Sequence, residues 1–443
     1  MGRFGVGQAI RRVEDERFLT GTGLYTDDIA VPGQTFLFVL RSPHAHAAIS
    51  ALDVTEARAA PGVVGVLTHA DLEAMKVGPI PVGAVPRSPD GKTAKPPPRP
   101  VLAGHRVRYV GEPVAAVIAE TLAQAKDAAD LIQVDYDDLP VAASLAEALG
   151  AETIHPEAPG NVLLNWRAGD TAKTEEAFAK ADRVVSIDIR NSRILPTALE
   201  PRGAIAEYDA KTQRFTLTQG SPGVHSLKNW CSQVFGVPPE NFRVITPDVG
   251  GGFGMKNFLF NEPLLCLAAA RAFGRVVRWM GDRAESCMND CHGRDQVTHG
   301  ELALDKDGTF LALRVSYLGN VGAYLSQYGA YVQTAAGGAM YCGAYRIPAA
   351  TVDAKVVMTN TAPLDAYRGA GRPEAAYLIE RLVEKAALEL GVSSIQLRRF
   401  AVAAGAGFHV VTHAQSAQLA PRSCRRFAGG KVRRVRAQER RVH

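Results

Sequence analysis

At 443 residues, 47% hydrophobic and 21% charged, the chain carries enough apolar material for two or three domains, each with its own core. Its net charge of +5 does not point to nucleic acid: residues 398–443 hold ten Arg, Lys431 and one acid, Glu439, a net of +10, so residues 1–397 carry the balance of −5. No stretch reaches the roughly 18 apolar residues that a bilayer span needs, the opening MGRFGVGQAIRRVEDERF lacks an apolar signal core, and six cysteines without framework spacing suit a reducing compartment, which together predict a cytoplasmic protein.

In chain order, residues 36–40 (FLFVL) and 113–119 (PVAAVIA) read as buried strands because they are apolar without interruption. Residues 76–100, rich in Pro, Gly and Lys, read as an exposed loop. Thr121 and Gln124 have capping-box spacing, so the second strand leads into a helix over AKDAADLI and a strand at QVDYDD, a β-α-β unit. HPEAPG at 155–160 marks a domain boundary. Beyond it, residues 215–219 (FTLTQ) predict a strand, 224–235 a helix stopped by Gly236, and 242–246 (FRVIT) a strand running into the glycine loop Gly250-Gly-Gly-Phe-Gly254. Gln219 and that loop thus both follow strand C-terminal ends, where open α/β sheets hold ligands. Residues 373–390 predict a helix with apolar Leu378, Ile379, Leu382, Val383, Ala386, Ala387 and Leu390 on one face and Gly391 as its stop; the loop 366–372 (AYRGAGR) precedes it.

Three successive glycines plus Gly254 let backbone N–H groups approach an anion without Cβ obstruction, and a tight structural turn is the competing reading. The loop is neither a P-loop nor a dinucleotide fingerprint, since Lys256 follows Met255 and position 255 is not glycine. A nucleotide-binding module therefore has little support. Arg368 and Arg372 flank Gly369-Ala370-Gly371, and a guanidinium can donate two hydrogen bonds to oxo or phosphate groups; a helix-start turn with surface arginines is equally compatible. His44 with His46, and Cys287 and Cys291 with His292, lack the paired spacing of zinc sites and read as packing or surface residues. No Gly-x-Ser-x-Gly elbow occurs, so hydrolysis has no support.

The stretches RVEDERFLTGTGLYTDDI, FVLRSPHAHAAI, VRYVGEPVAAVIAE, LEPRGAIAEYD, LTQGSPGVHSLKNWCSQVFGVPPENFRVITPDVGGGFGMKN and DAYRGAGRPEAAYLIERLVEKAALELG, in this order, resemble the large molybdopterin-binding subunit of the xanthine dehydrogenase and aldehyde oxidase family, over residues 3 to about 399. The resemblance implies an α+β fold: an α/β hammerhead domain over 1–150, then the first molybdenum-cofactor-binding α/β domain over 160–400, with the second cofactor domain absent. It implies a molybdenum-molybdopterin cofactor, in the cytosine dinucleotide form, approached by Gln219, Gly251, Gly252, Phe253, Gly254 and Arg368. Gln219, Phe253 and Arg368 would stand near the metal, with no direct protein ligand to it. Asn257, Gly369 and Ala370 would line the substrate pocket.

Likeness is greatest to the aerobic carbon-monoxide dehydrogenase large subunit. Gly369 and Ala370 replace the copper-binding Cys loop, which implies the copper-free second form, and Asn257 and Ala370 replace the purine-binding Glu and Phe. The implied substrate is an aldehyde or a small N-heterocycle, hydroxylated with water as oxygen source. Electrons would pass to a 2Fe-2S small subunit and a FAD medium subunit in a dimer of heterotrimers. The general-base Glu of the family would lie in the missing domain, so no catalytic residue is assigned in this chain. Relatives continue beyond this chain, and from Ala401 the match ends in an arginine-rich stretch to residue 443, read as aberrant, unstructured and the mark of a frameshift. The alternative is a non-catalytic truncated remnant.

Overall fold

The computed structural model describes residues 9–91 and 93–401, and the tail from residue 402 on lies outside the described residues. The first block contributes strands β1 (Thr35–Arg41), β2 (Ala47–Asp53), β3 (Val63–Leu67), β4 (Arg106–Val107), β5 (Pro113–Ala119) and β6 (Gln133–Asp138). The second contributes β7 (Val162–Gly169), β8 (Arg183–Asn191), β9 (Gly203–Asp209), β10 (Arg214–Thr218), β11 (Phe242–Ile245), β12 (Val277–Met280), β13 (Gln296–Leu304), β14 (Phe310–Gly322) and β15 (Ala349–Met358). They form a seven-stranded sheet in the order β11-β10-β9-β12-β1-β5-β3, a five-stranded sheet β7-β15-β14-β13-β8 and a three-stranded sheet β4-β2-β6.

The large sheet crosses both blocks, because β1 pairs in parallel with β12 at Thr35↔Val277 and Phe36↔Arg278. Every residue of β5 is buried, as its unbroken apolar run requires. Thr121 Oγ1 accepts from Gln124 N–H at 3.2 Å and starts the helix Leu122–Ala129. The β-α-β expectation is corrected in one respect: β5 pairs with β1 and β3, whereas β6 pairs with β2 in the small sheet. The chain therefore changes sheets across this helix rather than returning to the one it left.

The loop over 76–100 is also less exposed than its composition predicts. Ile80 and Arg99 form a bridge and both are buried, with Val82, Val85 and Ala94 packed on a core cluster. Beneath the large sheet the helix Asn261–Phe273 buries every residue from Asn261 to Ala270, so it reads as apolar on all sides. Its polar exceptions are Asn261 and Glu262, and Glu262 accepts from Arg41 Nη2 at 2.8 Å, Arg202 Nη1 at 2.6 Å and Asn289 Nδ2 at 2.6 Å. Burial opposes ionisation of this carboxyl, but Arg202 and Arg41 overcome it and hold it below the usual carboxylate range. The helix Arg372–Leu390 packs Leu378, Ile379, Leu382, Val383, Ala386 and Ala387 on the five-stranded sheet and ends at Gly391, φ +68°. Among the described residues no helix is long and apolar enough to cross a membrane.

Candidate functional site

Strands β10 and β11 run side by side in parallel, with Thr218 opposite Ile245. The residues that follow them, Gln219 and the glycine loop, therefore emerge at the same end of the sheet. Thr246 Oγ1 lies 2.8 Å from the Gln219 carbonyl and 2.7 Å from the Ser221 carbonyl and accepts from Ser221 N–H at 3.0 Å, stitching the two exits together. Gln219 is 5% exposed, and its side-chain Oε1 is buried without a hydrogen-bond partner.

The glycine loop is shaped by φ values that side chains resist: Gly251 at +100°, Phe253 at +50° and Gly254 at +103°. For a bulky residue such as Phe253 this conformation is strained. The residue is 44% exposed. Glu200 organises the start of the loop: its Oε2 accepts from Gly250 N–H at 2.8 Å and from Lys256 Nζ at 2.7 Å. Burial lowers the Lys256 pKa, with Glu200 working against that shift. The ammonium is thus committed to Glu200 and is not a free anion ligand. A Cβ on Gly250 would stand 2.5 Å from Glu200 Cβ, so only glycine fits there.

The arginine loop meets the glycine loop directly. Arg368 N–H donates to the Phe253 carbonyl at 2.8 Å, and a Cβ on Gly254 would stand 2.7 Å from the Ala366 carbonyl. Gly369, Ala370 and Gly371 have successive φ values of +99°, +48° and +86°. The Arg368 side chain is exposed, whereas Arg372 turns back on its own loop, donating to the Gly369 carbonyl at 3.2 Å and the Ala370 carbonyl at 3.4 Å. Of the two arginines picked for anion recognition, only Arg368 keeps its fork clear of the loop backbone. Asn257 is half-buried at the end of the turn Met255–Asn257, with its Oδ1 against Gly223.

Sequence reasoning missed Glu200 and Arg294. Arg294 donates to the carbonyls of Tyr367 at 3.2 Å and Arg368 at 2.8 Å from outside the loop. Glu200 stands in the quoted stretch LEPRGAIAEYD but was given no role there, Arg294 stands in none of the quoted stretches, and their partners lie 50 to 80 positions away. The His and Cys candidates are divided between packing and surface positions, with Cys287 exposed. His44 and His46 bond to Asp138 Oδ1 and the Pro140 carbonyl, Cys291 is buried with its thiol pushed up to about 11, and burial lowers His292 to about 4. No group of three or more potential metal-ligating side chains occurs among the described residues.

These loops fit an anionic cofactor on the structure's own terms. The paired backbones leave no room for a Cβ at Gly250, Gly254, Gly369 or Gly371, an arginine is presented beside them, and a buried glutamine oxygen lies unsatisfied at the neighbouring strand end. A separate concavity of about 600 Å³ opens on the five-stranded sheet, lined by Trp166, His299 and Lys355 among others, and none of the loop residues lines it.

The profile of the molybdopterin cofactor-binding domain matches residues 154–402, and that of the aldehyde oxidase and xanthine dehydrogenase a/b hammerhead domain matches residues 20–140. The chain belongs to this molybdopterin-binding family. It is 35% identical to the carbon monoxide dehydrogenase large chain of Hydrogenophaga pseudoflava, over 87% of this chain and 49% of that one. It is 33% identical to the gamma subunit of the 6-hydroxypseudooxynicotine dehydrogenase complex of Paenarthrobacter nicotinovorans, over 89% of this chain and 49% of that one. Among solved structures, quinoline 2-oxidoreductase from Pseudomonas putida 86 superposes with a TM-score of 0.83 at 36% identity, covering 89% of this chain and 50% of that one. The chain thus spans about half the length of these relatives. Not all relatives extend so far: the nicotinate dehydrogenase large molybdopterin subunit of Eubacterium barkeri, 28% identical, is covered over 87% of its own length. The expectation that relatives continue beyond the matched region holds for the other relatives named here, and this subunit is an exception to it.

Proposed function

We propose that this chain forms one half of a molybdenum-molybdopterin site in an oxidoreductase that hydroxylates an aldehyde or a small N-heterocycle. The observation that carries the reading is the joining of the two loops by the Arg368 N–H to Phe253 carbonyl bond, beside the unsatisfied Gln219 Oε1. The amides around Gly251, Gly252 and Gly254 would hold the anionic part of the cofactor, with Gln219, Phe253 and Arg368 close to the metal. Asn257, Gly369 and Ala370 would border the substrate. When bound, the cofactor supplies the two-electron redox chemistry that side chains cannot. The chain's own residues orient the cofactor, present a fixed positive charge at Arg368 and, through Phe253, offer an apolar wall. Gly369 and Ala370 carry no thiol for copper, which supports the copper-free form.

The reading extends to partners and place: a FAD subunit, a 2Fe-2S subunit, the cytosine dinucleotide form of the cofactor, water as oxygen source and a cytoplasmic location. It takes the hammerhead block as residues 1–150 and the cofactor-binding block as 160–400. The other half of the site would be supplied by the region of the half-matched relatives that this chain does not match. The non-catalytic remnant is the second reading, favoured by the half-length match to most relatives named above.

Molybdenum and pterin content, with dye-linked aldehyde oxidation, separates them. The chain would be purified from a molybdenum-replete host with and without a polypeptide matching the other half of the relatives. Cofactor and turnover on co-expression support the half-site. A product free of molybdenum and pterin in both preparations sinks it in favour of the remnant.

A further inference from the structure

Arg294 approaches the arginine loop from the start of β13 rather than from within the loop. Its Nη2 donates to the Arg368 carbonyl at 2.8 Å, and its Nη1 to the Tyr367 carbonyl at 3.2 Å and to Glu374 Oε2 at 3.0 Å. Its guanidinium carbon also stands 5.0 Å from the centre of the Tyr367 ring. The side chain is only 10% exposed and that of Glu374 only 1%. We propose that Arg294 is a positioning residue: its planar fork buckles two successive carbonyls of the loop and so fixes the backbone from which Arg368 projects.

The backbone around Arg294 is built for this reach. Arg294 and Asp295 are consecutive non-glycine residues with φ of +66° and +58°. Each such position is costly and persists only where the surroundings over-determine it. They do so here: the Arg294 carbonyl accepts from Gln333 Nε2 at 2.8 Å, and Asp295 Oδ2 accepts from Asn320 Nδ2 at 2.9 Å. Gln333 belongs to a π-helical turn, Val332–Ala336, a geometry that is rare and concentrates at functional sites. The same turn receives the far side of the arginine loop, since a Cβ on Gly371 would stand 2.7 Å from the Val332 carbonyl. The loop is therefore gripped on one side by Arg294 and on the other by the turn, and Gln333 ties the two grips together.

A lysine cannot reproduce the fork, because one ammonium on a flexible stem does not span two carbonyls and a carboxylate in a plane. It can still neutralise Glu374. Arg294→Lys therefore separates charge from positioning. The readout is tryptic cleavage of the Arg368–Gly369 bond, followed by mass spectrometry and divided by the rate at the exposed Lys211–Thr212 bond. Loss of a charge-assisted hydrogen bond from the loop backbone should raise this ratio about tenfold. In an Arg294→Lys variant that still unfolds cooperatively, a ratio that stays at the wild-type value overturns the proposal, whether the two rates are unchanged or rise together. Should Arg294→Lys give no cooperative unfolding transition, Glu374→Gln decides. It keeps the arginine but removes its counter-charge, and the ratio should again rise; a wild-type ratio there overturns the proposal.

The functional meaning of the buckle rests on the cofactor reading of Arg368, but the assay needs no cofactor. A failed buckle and a failed cofactor assignment are therefore read separately.

Discussion

Lys256 has a side chain 2% exposed, and it is paired with Glu200, 2.7 Å away. Removing one member of a buried pair leaves the other uncompensated, at a cost of about 3–5 kcal/mol. Glu200→Gln should lower stability by that order in urea unfolding, and adding Lys256→Met should recover most of it. A double variant no more stable than the single one would show that Glu200 acts through Gly250 rather than through Lys256. The glycines make a second contrast. Gly254→Ala meets both a φ of +103° and the Ala366 carbonyl, and should cost on the order of 1–3 kcal/mol. Gly252→Ala meets only Lys256 Cβ, at an ordinary 3.5 Å, and should fold as the wild type does. If the loop amides hold the cofactor, Gly252→Ala should nonetheless lower pterin content, measured after release from the purified protein.

At this scale the legible residues were those whose signal is local. Gln219 follows a strand-like run, the glycine loop announces itself by composition, and Arg368 stands between glycines before a helix. Glu200 and Arg294 were not legible, because each acts on a loop distant in sequence and is an ordinary charged residue in its own neighbourhood.

Among the elements, periodicity located β1, β5, β10, β11 and the helices Val224–Phe235 and Arg372–Leu390 to within one or two residues of their observed ends. Pairing was another matter. The segments of β5 and β6 were correctly placed and the helix between them was set three residues late, at 125–132 against Leu122–Ala129, yet nothing in an apolar run says which sheet it joins, and β5 and β6 ended in different ones. The loop over 76–100 misled for a related reason: proline and lysine set its composition, while Ile80 and Arg99 set its burial. The helix Arg372–Leu390 offers a clean energetic test, since it carries the arginine loop at its start and packs on the five-stranded sheet. Leu382 is fully buried, so Leu382→Ala should cost about 2–5 kcal/mol. Leu388, 76% exposed on the same helix, should change stability by no more than about 0.5 kcal/mol when replaced by Ala. Equal losses at the two positions, measured by urea unfolding, would contradict the assigned packing face.

Across the whole molecule, the two blocks are joined by buried polar groups as well as by the shared sheet, and this seam should make stability respond to pH in opposing ways. Glu112 of the first block is 3% exposed, accepts from Arg108 N–H at 2.5 Å, and is raised by burial to about 7, with Arg108 and Tyr324 pulling the other way. On the other side, His155 donates Nε2–H to the Ala323 carbonyl at 2.7 Å and packs 5.1 Å from Tyr324. Burial, reinforced by Arg108, lowers His155 to about 4. The fold therefore keeps the Glu112 proton over a range in which the unfolded chain has lost it. That contribution is complete below the ordinary glutamate pKa and disappears as pH rises to about 7. His155 works in the other direction, its contribution complete above the ordinary histidine pKa and lost as pH falls to about 4. Glu112→Gln removes the first effect and leaves the second. The stability of this variant relative to the wild type should then climb by about 1.4 kcal/mol per pH unit between roughly pH 4.5 and 7, and stay level on either side. Urea titrations across this range would measure it, and parallel curves for the two proteins would mean that Glu112 is ionised in the folded seam.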